Sequence, residues 1–214
     1  MRVLSSFGVA VALCAALLSP ASAATVQLGS FTHNYGSNPG NVNPGGTDAL
    51  SGNYVTVSDQ SSGRFFDSFN FSALQIGATV ESLALTLAFS GAGPNGLFGL
   101  AETWRVRVQG SNSGASFDDY FAVLRDPNSP QTFTLSAATD TGWINAFATS
   151  LLTGTLTFWF SEETLGADNF KLTSASLAVY GTPAPSVVPL PAGGFLLIGA
   201  LGGLAALRRR KRQA

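Results

Sequence analysis

Alternation of apolar and polar residues along several segments predicts β-strands that bury one face. In Glu81–Ser90, every second residue from Leu83 to Phe89 is large and apolar, whereas the residues between them are small or polar. A similar alternation runs through Phe170–Tyr180 and slips by one residue near Ser174, which predicts a β-bulge there. The other predicted strands are Tyr54–Ser58, Phe65–Phe71, Trp104–Gln109, Tyr120–Leu124, Thr132–Leu135 and Leu156–Ser161.

One segment has a helical period instead. Its apolar residues share one face of a helix, with Thr141 as the predicted N-cap and Gly154 just past the end. We therefore expect one short helix packed across the end of a sheet. The apolar residues of that face are Trp143, Ile144, Phe147, Ala148, Leu151 and Leu152.

Turns rich in Gly, Asn and Ser separate the predicted strands. The stretch Ser30–Asn53 has the same composition and no clear period, so we interpret it as a long loop or a poorly ordered segment. Many short strands with such turns predict an all-β fold, an antiparallel β-sandwich with a jelly-roll-like arrangement. We assign this domain to residues 24–181 and a Pro-containing spacer to residues 182–187.

The first 23 residues have the pattern of a secretory signal peptide. Arg2 supplies the positive start, Val9–Leu18 is the apolar core, and Ala21 and Ala23 are the small residues of a cleavage site. Cleavage after Ala23 is therefore expected.

The final segment, residues 188–214, has three parts: a proline-containing motif, an uncharged apolar run at residues 193–207 and a basic cluster. At ~1.5 Å per residue, a helix over residues 192–207 is about 24 Å long, a short but feasible transmembrane helix with help from its flanks. The basic cluster is expected to stay in the cytoplasm, which places the preceding domain outside. The motif is Val188, Pro189, Leu190, Pro191 and Ala192; the cluster is Arg208, Arg209, Arg210, Lys211 and Arg212.

The order of motif, apolar helix and arginine cluster resembles the PEP-CTERM class of bacterial sorting signals, and Val188–Ala192 matches its VPLPA variant. The resemblance implies recognition by exosortase, a membrane-embedded cysteine protease that is thought to cut near the proline motif. It also implies delivery to the cell surface or extracellular matrix, in bacteria that make exopolysaccharide and biofilm. An ordinary membrane anchor that is never cut is the alternative.

The net charge of the chain changes when the predicted signal peptide and the C-terminal segment are left out. Residues 24–187 contain all 12 acidic residues of the chain and five of its 11 basic ones, a net charge of −7. Such an acidic domain argues against nucleic acid as a partner and is compatible with divalent cations. The only cysteine, Cys14, lies in the signal peptide, so we expect no disulfide in the mature protein.

The search for catalytic chemistry gives mostly negative results. With no mature cysteine and a single histidine, His33, neither a cysteine nucleophile nor a multi-histidine zinc site is available. A Ser-His-Asp triad would need His33, which we interpret as a solvated loop histidine. A glycoside-active enzyme would need two converging carboxylates, and the adjacent acids of the predicted strands point apart. We therefore predict no catalytic residues and no enzymatic activity.

Two binding hypotheses remain. Oxygen-bearing residues at Glu162, Glu163 and Asp168 could hold Ca²⁺, the only cofactor we consider, although acidic loops also simply keep a domain soluble. Trp159 and Tyr180 lie opposite the apolar rows of their strands, where either could stack on a sugar.

Two basic residues extend the second hypothesis. Arg105 and Arg107 share one polar strand face and could bind carboxylates of an acidic polysaccharide. Burial of the aromatic residues and a merely solvated arginine face are the alternatives.

Three classes of function follow. The leading interpretation is a non-catalytic exported surface or matrix protein, with an exosortase-type protease and exopolysaccharide as expected partners. A carbohydrate-binding module is the alternative, and a glycoside-active enzyme is the third class.

Overall fold

The computed structural model describes residues 24–44, 49–58, 65–92, 104–110, 121–125, 129–141, 144–162 and 169–184, with Leu201 and Arg208. Contacts divide the chain into two units, Met1–Ala184 and Pro185–Ala214. The predicted signal peptide and sorting motif lie outside the described residues, as do all of the apolar run except Leu201 and all of the basic cluster except Arg208. Within the described ranges, no helix is long and apolar enough to cross a membrane.

The first unit is mostly β, with antiparallel sheets and one described α-helix, which confirms the predicted fold class at that level. Besides a 3-10 turn at Ser72–Gln75, its elements are β1 Val26–Asn34, β2 Ala49–Leu50, β3 Val55–Ser58, β4 Phe66–Asn70, β5 Ala78–Ser90, β6 Arg105–Val108, β7 Ala122–Val123, β8 Gln131–Ser136, α1 Ala146–Thr153, β9 Thr155–Ser161 and β10 Asn169–Pro183.

Two sheets are formed. The larger has the order β2-β3-β10-β5-β8, with β1 also paired to β10, and the smaller has the order β4-β9-β6-β7. Strand β5 pairs with β10 along almost its whole length, while β3 and β1 share the other side of β10. The register of β10 against β5 shifts between Leu172 and Ser174, so the predicted bulge near Ser174 is confirmed.

The inward rows of the two sheets form one core. The ring of Phe160 on β9 lies 5.0 Å from that of Phe170 on β10, in an edge-to-face contact between the two sheets. Trp104 packs on the same Phe170 ring at 4.8 Å and is 1% exposed. Such aromatic contacts each add about 0.5–1.5 kcal/mol to the effect of burial alone, so aromatic packing does much to join the sheets.

The interpretation of Ser30–Asn53 as a loop is wrong for its first part. Strand β1 extends to Asn34 and pairs with β10, so His33 lies in a strand and not in a solvated loop. The next residues are also anchored, since the amide of Ser37 donates to the carbonyl of Ser51 at 2.7 Å. Alternation in β1 is hidden by a bulge between Gln27 and Gly29 and by polar residues on its inward row.

Helix α1 confirms the predicted helix and its end, but its start differs. Gly154 has a left-handed backbone conformation, with φ of 66°, which is typical of a glycine that ends a helix. At the other end Thr141 is not the N-cap; Asn145 holds that position without a side-chain bond. The carboxylate of Asp140 instead accepts the amides of Phe147 and Ala148 at 3.0 and 2.9 Å.

The same helix contacts both sheets, packing against β9 of the smaller one and β5 and β8 of the larger one. It therefore spans the gap between the sheets, whereas the sequence suggested packing across the end of one. Of its predicted apolar face, Phe147 is buried, Leu152 is 88% exposed, and Trp143 lies outside the described residues.

Asp140→Ala tests the capping contact. We expect the free energy of unfolding to fall by about 1 kcal/mol, because two helix amides lose their acceptor and the helix N-terminus loses a negative charge. Asp140→Asn is the control, since it retains an acceptor and should lose less. Urea unfolding measures both; equal losses in the two variants would contradict a charge-assisted cap.

Gly181→Ala tests a close approach between β10 and β5. A Cβ at Gly181 would lie 2.0 Å from the carbonyl oxygen of Thr79, so the two central strands would have to separate. We expect a loss of about 2 kcal/mol or more, at the upper end of overpacking effects. Gly52→Ala is the matched control. There the new Cβ would lie 3.4 Å from its nearest neighbour, Oδ1 of Asn38, so we expect little change in the unfolding midpoint. Equal stability of both variants would contradict the close approach.

Candidate functional site

The outward surface of the smaller sheet brings together three of the four residues predicted to bind a ligand. Trp159 on β9 lies directly opposite Phe66 on β4 and Arg107 on β6, so these three form one row across the strands. Arg105 is two residues before Arg107 on the same outward side. We call these four residues, Phe66, Trp159, Arg105 and Arg107, the aromatic–arginine face.

Strand alternation explains why this face points outward. The even-numbered neighbours on β9 and β6, such as Phe158 and Val106, are completely buried, whereas the odd-numbered residues are half-buried. On β4 the parity is reversed, and Phe66 is 53% exposed although it is a large apolar residue. An exposed phenylalanine beside a half-buried tryptophan makes an apolar strip that the core does not need.

The arginine of the central row is held in a defined direction. The Nε of Arg107 donates to the hydroxyl of Ser161, two residues beyond Trp159, at 2.9 Å. This bond places the guanidinium over β9, on the same side as the indole. A fixed guanidinium presents its donors in a fork that matches a carboxylate.

Few charged residues occupy the described outward positions of this face. Its described outward positions contain two arginines and no acidic residue, whereas residues 24–187 carry a net charge of −7. The other outward residues are Ser68, Asn70, Val123, Thr155, Thr157 and Ser161. The nearest described carboxylate along β4, Asp67, belongs to the inward row.

Tyr180 is not part of the aromatic–arginine face. It lies on β10 of the larger sheet, between Gln27 of β1 and Ser82 of β5, and points away from the core. Alternation predicted its outward direction, but nothing in a single strand indicates which sheet the strand joins.

The predicted calcium ligands are only partly described. Glu162 follows β9 and is half-buried, while Glu163 and Asp168 lie outside the described residues. Within the described ranges, no three His, Cys, Asp or Glu side chains come together as a metal site would require.

A second polar cluster lies where the two sheets meet at β1 and β4. The Nδ1 of His33 lies 2.7 Å from Oδ2 of Asp67, and the hydroxyl of Tyr35 donates to the same oxygen at 2.6 Å. The carboxylate thereby connects the edge strand of one sheet to the edge strand of the other. The imidazole also packs on Phe69, with ring centroids 4.5 Å apart.

The cluster does not follow from the predicted elements, because these assign His33 and Tyr35 to a loop. A signal was present: Phe31, His33 and Tyr35 alternate, as residues of one strand face do. If histidine and tyrosine are counted as inward residues, this alternation predicts a strand. Asp67 lies two positions before Phe69 on the inward row of another strand, where it could be their partner.

Three of the described carboxylates make structural contacts. Asp67 joins the sheets and Asp140 caps α1. Glu81 on β5 accepts the hydroxyls of Thr25 and Thr182, and these bonds, that of Thr182 first, lower the pKa of its carboxyl group. These three carboxylates therefore connect strands or cap the start of a helix.

A shallow cavity of about 190 Å³ lies at the far end of β5 and β10. It is lined by Ser90, Gly91, Asn169, Phe170 and Lys171. The ammonium of Lys171 also lies 4.9 Å from the centre of the Tyr54 ring, in a cation–π contact. The cavity thus has one cationic group and no aromatic row comparable to that around Trp159.

No protein-family model matches the sequence of this chain, and no curated protein is significantly similar to it.

Tyr35→Phe tests the cluster between the sheets. Burial, the charge of Asp67 and the bond to it together raise the pKa of the Tyr35 hydroxyl well above its ordinary value of 10.0. Tyr35 therefore stabilises the fold fully below pH 10, and this contribution is lost as the pH rises further, because only the unfolded chain then releases the proton. At pH 7 we expect Tyr35→Phe to cost about 2 kcal/mol, since a bond to a charged group is removed.

Urea unfolding at several pH values between 7 and 11 measures both effects. The wild-type chain should lose stability above pH 10 more steeply than Tyr35→Phe does. Tyr180→Phe, on the outward side of β10, is the control and should follow the wild type. The same alkaline slope in all three proteins would show that the Tyr35 hydroxyl is not the group concerned.

Proposed function

We propose that this chain is a non-catalytic exported surface or extracellular-matrix protein, sorted by an exosortase-type protease. In this proposal residues 1–23 are a signal peptide, the β domain has a jelly-roll-like arrangement, and residues 193–207 form a transmembrane helix until processing. The proposed partners are the protease, the membrane before cleavage, and exopolysaccharide.

One structural observation is compatible with this proposal. The contacts separate Pro185–Ala214 from the β domain, and the division falls within the predicted spacer at residues 182–187. Next to this division, Glu81 binds both Thr25 near the start of β1 and Thr182 near the end of β10. Removal of a tail beyond this point leaves the described strands intact, as a sorting substrate requires.

A carbohydrate-binding module is the second candidate. The aromatic–arginine face supports it, because the exposed Phe66 and the half-buried Trp159 lie side by side on a sheet surface. An aromatic ring on such a surface can stack on the apolar face of a sugar while nearby polar groups bind its hydroxyls. Binding of this kind suits a surface or matrix protein and needs no catalytic group.

Intact-mass analysis of the protein from its native host tests the sorting proposal. With the processing protease present, we expect a species that begins at Ala24 and ends between Val188 and Ala192. In cells without the protease, we expect the species to keep its basic cluster. Substitution of Pro189 and Pro191 by Ala in the otherwise unchanged chain should block processing in the first strain, because the motif is the element that the resemblance implies is recognised.

Two results would contradict it. Retention of Arg208–Ala214 in both strains would identify the tail as a permanent anchor. Retention of residues 1–23 would show that the first segment is not a cleaved signal peptide.

A further inference from the structure

We infer that the β domain docks on the lipid surface of the membrane that holds its tail, through two exposed apolar side chains, Ile76 and Leu152. We call these two residues the apolar pair. The inference rests on the proposed transmembrane tail and adds a membrane contact that the domain makes itself. It commits to one occupant, the lipid–water interface.

The exposure of the pair is the first observation. Ile76 is 85% exposed and Leu152 is 88% exposed, whereas Phe66, the next large apolar residue of the described β domain, is 53% exposed. At this exposure neither side chain contributes much to the core. A single exposed aliphatic side chain is common on protein surfaces, but two that lie together form a patch available to another apolar surface.

Hydrogen bonds bring the two side chains to the same end of the domain. Each follows directly after one partner of a bond, since the side-chain amide of Gln75 donates to the carbonyl of Leu151 at 2.9 Å. A second bond runs from the amide of Phe71 to the carbonyl of Gly154 at 2.8 Å. The 3-10 turn at Ser72–Gln75 is therefore held against the last turn of α1, and the apolar pair lies on adjoining turns.

The chain leaves the β domain beside this pair. The amide of Ala184 donates at 2.6 Å to the carbonyl of Gly77, the residue after Ile76. Eight residues, 185–192, separate Ala184 from the apolar run that we propose to span the membrane. Eight extended residues reach at most about 28 Å, so a membrane that holds the run lies within reach of the pair.

The segments that build this end of the domain are uncharged. No charged residue occurs in residues 68–80, 141–161 or 172–184, although the rest of the domain carries 12 acidic and five basic residues. Glu81 directly follows the first segment and Asp140 directly precedes the second. Their carboxylates are already bound, by threonine hydroxyls and by helix amides respectively. Apolar and small polar side chains enter a lipid interface at lower cost than charged ones do.

The tether makes two side chains sufficient. Alone, they would not hold a free domain on a membrane, but the tail already confines the domain near the surface and so removes most of the entropic cost of binding. Transfer of the two aliphatic side chains out of water then favours the docked orientation. Docking in turn keeps the proline motif near the surface, where a membrane-embedded protease cuts.

Fluorescence quenching by lipids tests the contact. The protein is the exported chain with its tail, residues 24–214, from the strain that lacks the protease, in vesicles of phosphatidylethanolamine and phosphatidylglycerol. An NBD label is attached to Ala73→Cys on the 3-10 turn; cleavage of the signal peptide removes Cys14, the only other cysteine. The control label is on Asn169→Cys, at the opposite end of β10. We expect nitroxide-labelled lipids to quench the label at residue 73 and to leave the label at residue 169 almost unchanged.

Variants assign the quenching to the apolar pair. Ile76→Asn and Leu152→Asn should each lower the ratio of docked to undocked chains roughly tenfold, because an aliphatic side chain no longer leaves water. Both positions are exposed, so the variants should fold, and the unfolding midpoint checks this. Leu50→Asn is the matched control; Leu50 is a 37% exposed residue of β2, which reaches β10 through β3 at the opposite end, and its variant should be quenched as the wild type is. Added salt should have little effect, since the contact is apolar.

Four results would overturn the inference. A chain that does not float with the vesicles has no membrane anchor, which also overturns the anchored stage of the proposed function. A chain that floats while its label at residue 73 stays unquenched overturns the inference alone. Equal quenching in the wild type and in both Asn variants shows that the tether, and not the apolar pair, sets the distance. A blue-shifted emission without lipid quenching shows that a protein, such as a second copy of the chain, covers the pair instead of lipid.

Discussion

The pairing of β10 on both of its sides is the constraint on which the larger sheet depends. Strand β5 covers one side from Lys171 to Pro183, and β1 and β3 divide the other side between them. Strand β10 is the last described strand in the chain. Strands β1, β3 and β5 all pair with it, so they are joined into one sheet only when β10 takes its place. The sheet is therefore assembled from contacts between distant parts of the sequence, which is the feature that slows the folding of β domains.

The two sheets are joined by aromatic packing and by one polar contact. Phe160 and Phe170 meet in the core, and no cysteine is present in residues 24–187 to form a disulfide. At the edge, Asp67 takes hydrogen bonds across the gap, and Tyr35, which donates one of them, is completely buried. A buried donor that loses its acceptor keeps its desolvation penalty, so this contact also specifies how the two sheets are placed against each other.

The sequence predicted those strands in which one face is apolar and the other polar. Leu83 to Phe89 of β5 is such a case, and its strand was found with nearly correct bounds. The prediction misses strand β1 because its inward row contains the polar residue His33, whose partner there, Asp67, is 34 residues away. Helix α1 was found from its period, but its start was not, because the capping carboxylate of Asp140 comes from five residues before the N-cap. In each case the missing information lies in a contact between residues that local periodicity does not relate.

The aromatic–arginine face also depends on contacts that local periodicity does not predict. Alternation alone placed Trp159, Arg105 and Arg107 on outward faces, but their grouping depends on β9 pairing with β6, and Phe66 joins only because β4 flanks β9. The face is thus made from segments up to 93 residues apart that have no local signal in common. The core rows of these strands, such as Phe158 and Val106, point to the opposite side. Outward and inward residues of these strands therefore have separate roles: the inward residues maintain the sheet, and substitutions on the outward side test the face without removing core contacts.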